Sequence, residues 1–153
     1  IQMANFYATI ANGGVMQRPY VVDQIVDASG TVQRTDTPGV VGRVFSTKTA
    51  SDVLEGLHGV VQKNIGVSTA YIPGYQVAGK TGTAQIAAPG GGYLKDGSYV
   101  FSFAGILTAN DPRVVVFLSI HQTQKGERTS FRVAGPTFKK IALQLIQYLR
   151  LKP

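Results

Sequence analysis

The chain has 153 residues, of which 44% are hydrophobic and only 15% charged, and its formal net charge is +7. That is enough apolar material for one ordinary core, so one domain is expected. The lack of cysteine excludes a disulfide framework, a thiol nucleophile and a thiolate metal site. His58 and His121 are the only histidines and lie far apart in sequence, so they read as structural or surface residues rather than metal ligands.

Met3, Phe6, Tyr7 and Ile10 recur at helical spacing, and Gly13-Gly14 supplies a stop. The chain thus opens inside or at the start of a helix, without an initiator methionine, and is expected to be a fragment or a cleaved product. Tyr20 to Val26 is rich in β-branched residues, and Asp27-Ala28-Ser29-Gly30 is turn chemistry leading to Thr31-Val32, which predicts a hairpin. Ser46 is the N-cap expected for a second helix with Val53, Leu57, Val60 and Val61 on its apolar side.

Val100 to Leu107 and Arg113 to His121 predict an antiparallel strand pair joined by the polar turn Thr108 to Pro112. Both strands are apolar on both faces, so helices are expected to cover the sheet on each side. Their longest apolar run, Val114 to Leu118, is far too short to cross a bilayer. A last helix is expected from near Pro136, turning Phe138, Ile141, Ala142, Leu145, Ile146 and Leu149 to the core.

The positive charge gathers in the C-terminal third, at Lys125, Arg128, Arg132, Lys139, Lys140, Arg150 and Lys152. Such a bias raises affinity for anionic polymers without choosing among them. Lys139, Lys140, Arg150 and Lys152 sit where an amphipathic helix keeps its wet face, and no nucleic-acid partner is expected.

Residues 74 to 85, GYQVAGKTGTAQ, fit two incompatible motifs. Gly74, Gly79, Lys80 and Thr81 satisfy the P-loop pattern, while Lys80-Thr81-Gly82 is the triplet that accompanies a serine nucleophile in penicillin-recognising enzymes. A P-loop needs a buried strand before its first glycine and a helix starting at the Lys-Thr pair. Here Pro73 precedes, and Gly82, Pro89 and Gly90-Gly91-Gly92 follow, all hostile to that helix. A strand from Val77 to Ile86 is expected instead, at a sheet edge, with Thr81 and Thr83 on one face and Lys80 and Gly82 on the other. Gly79 and Gly82 would leave room for a ligand backbone, and the free amides of the edge suit an extended peptide ending in a carboxylate. Gly90-Gly91-Gly92 reads as a flexible connector, with a lid over the cleft as the alternative.

Four stretches carry a family resemblance: IQMANFYATIANGGVMQRPY, YQVAGKTGTAQ, SFAGILTANDPRVVVFLSI and AGPTFKKIA. In this order they resemble the class B penicillin-binding proteins, the monofunctional peptidoglycan transpeptidases related to serine β-lactamases. The resemblance implies an α/β (α+β type) fold with an antiparallel sheet flanked by helices, of which residues 1–153 form the C-terminal part of one transpeptidase domain.

It also implies a D,D-transpeptidase that cross-links stem peptides ending in D-Ala-D-Ala through an acyl-serine intermediate and is trapped by β-lactams. Lys80 would assist proton movement, the Thr81 and Thr83 hydroxyls would bind the terminal carboxylate beside Gly82, and the Thr83 amide would be an oxyanion donor. No cofactor or metal is implied. The family's Ser-x-x-Lys and Ser-x-Asn motifs occur nowhere in the sequence, so a second chain carrying them is the expected partner. The parent would act at the outer face of the bacterial cytoplasmic membrane, held by an anchor outside this sequence. Family members often carry Gly-Gly before the last helix, where this chain has Ser130-Phe131-Arg132-Val133. A non-catalytic penicillin-recognition sensor or scaffold is the alternative, and a P-loop nucleotide binder the remote one. Folding of this segment by itself is not expected, because the sheet would expose a large apolar face.

Overall fold

The computed structural model describes residues 1–63, 68–94, 98–121 and 129–153. Its centre is an antiparallel sheet ordered β5-β6-β7, formed by Ala78–Gln85, Tyr99–Leu107 and Val114–His121. The registers are continuous, Gly79 facing Gly105, Lys80 facing Ala104, Thr81 facing Phe103, Gly82 facing Ser102 and Thr83 facing Phe101. Helices α1 (Gln2–Ala11) and α2 (Thr47–Lys63) touch each other, α1 against β6 and β7 and α2 against β5. Helix α3 (Ser130–Leu149) touches all three strands and neither of the other helices, so it covers the opposite face. The expected helix-flanked antiparallel sheet is therefore present.

The core lies between the sheet and α3. Phe103 and Phe138 are fully buried with ring centroids 4.5 Å apart, and Ala70, Ile72, Val77, Leu107, Ala134, Ala142 and Ile146 complete the cluster with Val61 of α2. Each buried phenylalanine contributes about 1.5–3 kcal/mol. The Phe138 ring occupies the space where a side chain on Gly105 would stand, so the small residue in β6 lets α3 approach. The strand β7 is only half-buried along most of its length, so the sheet is less fully covered than its composition suggests.

Local chemistry explains the elements. Gly13 and Gly14, both at positive φ, end α1 as expected. Ser46 caps α2, its Oγ accepting the Thr49 N–H at 3.0 Å. The hairpin pairs β2 (Gln24–Val26) with β3 (Val32–Thr35) around the predicted turn. There the Asp27 carboxylate accepts the Ser29 hydroxyl at 2.6 Å, the Ser29 and Thr31 N–H groups at 2.9 Å, and the Gln33 amide at 2.8 Å.

Several expectations need correction. The strand expected from Tyr20 starts only at Gln24, because its partner β3 has only four residues with which to pair. An unexpected pair, β1 (Val15–Arg18) with β4 (Gly39–Arg43), follows the first helix, with a bulge at Met16/Gln17. Met3 and Phe6 are exposed rather than buried, and the Phe6 ring meets Tyr7 and Phe45 edge-on. Val53 and Leu149 also face solvent, while Ala50 and Leu54 join Leu57 and Val61 on the inner side of α2.

The last helix begins at Ser130, well before Pro136, which sits inside it. A proline there removes one helical hydrogen bond. In the same stretch the Phe131 carbonyl also accepts the Thr69 hydroxyl at 2.6 Å, from the short 3-10 turn Ser68–Ala70. Gly90-Gly91-Gly92 is not a slack connector: the Gly91 N–H donates to Ala88 O at 3.0 Å, and Ala87 bridges Tyr93. Gly91 and Gly92 take positive φ there. Arg132, Lys140, Arg150 and Lys152 are exposed and Lys139 half-exposed, as a wet face requires, whereas Lys125 and Arg128 lie outside the described residues. No described helix is long and apolar enough to cross a membrane.

Four hydrogen bonds from three residues, Ser29 first and then Thr31 and Gln33, hold the Asp27 carboxyl down at about 2 against an ordinary 3.8. Since the folded value is depressed, the turn has this support in full above 3.8 and loses it as the pH falls toward 2. A carbon-detected NMR titration of the Asp27 carboxyl is expected to show a midpoint near 2; a midpoint at the ordinary value contradicts the turn geometry.

Candidate functional site

Geometry decides first between the two motifs. Lys80 and Thr81 lie inside β5, not at the start of a helix, so the P-loop reading fails. With β5 at one end of the strand order, its outer side is a free edge among the described residues.

Which groups point off that edge follows from the carbonyls just before it. The Gln76 carbonyl accepts the Ala109 N–H at 2.7 Å, on the side of β6. The next carbonyl, Val77, meets His58 Nδ1 of α2 at 3.0 Å on the other side. A carbonyl can only accept, so Nδ1 carries the proton. In an antiparallel strand the main chain of successive residues faces alternate sides, and the β5 register has no bulge. The N–H and C=O groups of Thr81 and Thr83 therefore face outward, while those of Lys80 and Gly82 bond to β6. The Lys80 ammonium agrees with this, since it reaches the outward Thr81 carbonyl at 3.2 Å.

The side chains alternate in the other direction. Thr81 and Thr83 share a face with Phe103 and Phe101, the face that α3 covers, and Lys80 and Gly82 take the other, as expected. Lys80 and Thr83 are exposed, Thr81 and Gly82 half-buried. None of the three described ion pairs involves Lys80, whose ammonium is thus available to an anion.

The glycines act otherwise than expected. A side chain on Gly79 would stand 2.7 Å from the Phe103 ring and 2.8 Å from Ala104 O, and one on Gly82 would stand 2.5 Å from Ser102 Oγ. Their space is filled by the neighbouring strand β6, so they serve close packing of the sheet rather than the approach of a ligand backbone. The histidines are structural: His58 holds the start of β5 to α2, and His121 Nε2 lies 2.9 Å from Ser119 Oγ on the exposed end of β7.

Sequence reasoning missed Ser130. The family pattern marked it only as a departure from Gly-Gly, yet in the fold it opens α3 and touches the β5 edge. Its hydroxyl donates to the Gly82 carbonyl at 2.6 Å and is hydrogen-bonded to the Thr83 hydroxyl. The contact spans 47 positions, beyond any local spacing rule. The region replacing Gly-Gly is accordingly an ordinary first helical turn.

Residues 1–143 match the family described as the penicillin binding protein transpeptidase domain. The chain belongs to that family. It is 37% identical to penicillin-binding protein PbpB of Mycolicibacterium smegmatis over 96% of this chain and 24% of that protein. It is 32% identical to the peptidoglycan D,D-transpeptidase FtsI homolog of Mesostigma viride over all of this chain and 27% of that protein. The chain thus spans about a quarter of the length of these curated relatives. The fold superposes with a TM-score of 0.82 on penicillin-binding protein 3 of Mycobacterium tuberculosis in its complex with aztreonam. Identity there is 35%, over 99% of this chain and 35% of that one. The class B resemblance seen in the sequence therefore holds.

The packing role of Gly79 is testable in the native protein. Gly79→Ala is expected to lower stability by about 1–3 kcal/mol, read by thermal unfolding. A variant as stable as its parent but impaired in ligand binding would return that glycine to the ligand.

Proposed function

We propose that this chain is the substrate-binding portion of a serine-type peptidoglycan D,D-transpeptidase, and that the edge of β5 from Lys80 to Thr83 receives the substrate. The observation that carries the reading is the convergence, on one free edge, of outward amides, two hydroxyls and an ammonium with no ion-pair partner among the described residues. Residues 1–153 are the C-terminal part of one transpeptidase domain. The Ser-x-x-Lys and Ser-x-Asn motifs come from the remainder of the protein or a second chain.

An extended stem peptide ending in D-Ala-D-Ala would lie along the edge and add its own main chain to the sheet. The Thr81 and Thr83 hydroxyls donate to its terminal carboxylate, beside Gly82. The serine supplied from elsewhere attacks the penultimate D-alanine carbonyl, whose oxygen becomes negative and accepts the Thr83 N–H. One such donor is typically worth about 3–4 kcal/mol of the barrier. As the tetrahedral intermediate collapses, the terminal D-alanine leaves with a proton and the acyl-serine remains. An amine of a neighbouring strand then displaces the serine and completes the cross-link. Lys80 stabilises the developing negative charge and favours proton transfer near the serine. A β-lactam offers a similar carboxylate and a strained amide, so it would occupy the same edge and remain bound as the acyl-enzyme. No cofactor takes part. The parent protein works in wall synthesis at the outer face of the cytoplasmic membrane, where its substrate is.

The test is labelling of the native protein, with whatever polypeptide copurifies, by a fluorescent penicillin, followed by denaturing electrophoresis. Label is expected on the polypeptide carrying Ser-x-x-Lys, with strong loss when Lys80 is replaced by alanine. Absence of label from a folded protein containing both portions would support a non-catalytic sensor or scaffold instead.

A further inference from the structure

The Gly82–Thr83 peptide unit has two ends with different tasks. Its carbonyl, on Gly82, accepts the Ser130 hydroxyl at 2.6 Å, and Ser102 Oγ approaches the same oxygen at 3.4 Å. Its other end is the Thr83 N–H, which the strand alternation directs off the free edge. A peptide unit is planar, so holding the oxygen fixes the direction of the N–H. The same Ser130 oxygen is also hydrogen-bonded to the Thr83 hydroxyl. One side chain therefore touches both groups through which Thr83 would meet a substrate.

The proton count adds a second constraint. Ser130 has one hydroxyl proton, and with that proton on the Gly82 carbonyl the proton in the second contact comes from Thr83. An anion at the edge needs the Thr83 proton turned toward itself. Ser130 can then swing its own proton from the Gly82 carbonyl to Thr83 Oγ1. Both hydroxyls remain paired, only hydrogens move, and the Gly82 carbonyl is then held by β6 alone. Ser130 is 4% exposed, at the start of a helix whose Phe138 is fully buried against the sheet, so its oxygen is fixed by the core.

We propose that Ser130 is a positioning residue for the β5 edge: before substrate binds it reinforces the Gly82–Thr83 peptide whose Thr83 amide faces outward, and with a carboxylate bound it donates to Thr83 Oγ1 instead, so that the Thr83 hydroxyl can point its proton at the substrate. This rests on the reading of β5 as the substrate-binding strand. An alanine at 130 leaves the Gly82 carbonyl to its β6 partners alone and the Thr83 hydroxyl with none from α3, whereas threonine keeps the hydroxyl.

The experiment measures acylation of the native protein by a penicillin across its concentration range, separating the saturating rate from the half-saturating concentration, with thermal unfolding of each variant. Ser130→Ala is expected to reduce the saturating rate about tenfold and to raise the half-saturating concentration, at an unchanged melting temperature. Ser130→Thr is expected to restore most of the rate. A Ser130→Ala protein that acylates like its parent overturns the proposal. So does one that fails to fold, or one whose defect is matched by Ser130→Thr, since each assigns Ser130 to packing alone. Lys80→Ala separates the two levels: if it slows acylation while Ser130→Ala does not, only the role of Ser130 falls. If Lys80→Ala acylates normally, the reading of β5 itself falls.

Discussion

The antiparallel register between β5 and β6 is the constraint on which the site depends. Pairing Lys80 with Ala104 and Gly82 with Ser102 commits their main-chain groups to the sheet, and the same alternation leaves those of Thr81 and Thr83 for a ligand. A slip of one residue would reverse both assignments, burying the outward amides and turning the threonine hydroxyls to the other face. Close packing favours this register, with Gly79 beneath the Phe103 ring, Gly82 against Ser102, and Gly105 beneath Phe138. Small residues on the motif strand thus protect its alignment.

Helix α3 converts that alignment into a rigid edge. Its central residues, Phe138, Ala142 and Ile146, bury against the sheet, and its first residue, Ser130, reaches the Gly82–Thr83 peptide. On the other side, His58 ties the start of β5 to α2 through the Val77 carbonyl. The proposed binding edge is therefore anchored at both ends by elements distant in sequence. Preorganised amides are effective in acyl transfer because they need no rearrangement as charge develops.

Much of this was legible in the sequence for identifiable reasons. The strands β6 and β7 stood out as apolar runs separated by a polar turn, and Ser46 and Asp27 announced a helix cap and a hairpin through local hydrogen bonding. Lys80, Thr81, Gly82 and Thr83 stood out as the proposed site through motif and alternation together. What remained hidden depended on contacts across the fold. The short β1–β4 pair joins segments of weak strand character, and each strand exists because the other is there. Pro136 read as a helix start, since its local preference says nothing of Thr69, 62 positions from Phe131 in sequence, reinforcing the turn before it. Gly79 and Gly82 looked like room for a ligand until β6 was seen to fill that room. Ser130 carried no signal at all beyond replacing a glycine.

The most direct measurement is a crystal structure of the native protein acylated by a β-lactam. The acyl carbonyl oxygen is expected about 2.7–3.2 Å from the Thr83 nitrogen, with the antibiotic's carboxylate against the Thr81 and Thr83 hydroxyls. An acyl group whose carbonyl oxygen points away from Thr83, with the β5 edge left in solvent, would contradict this placement.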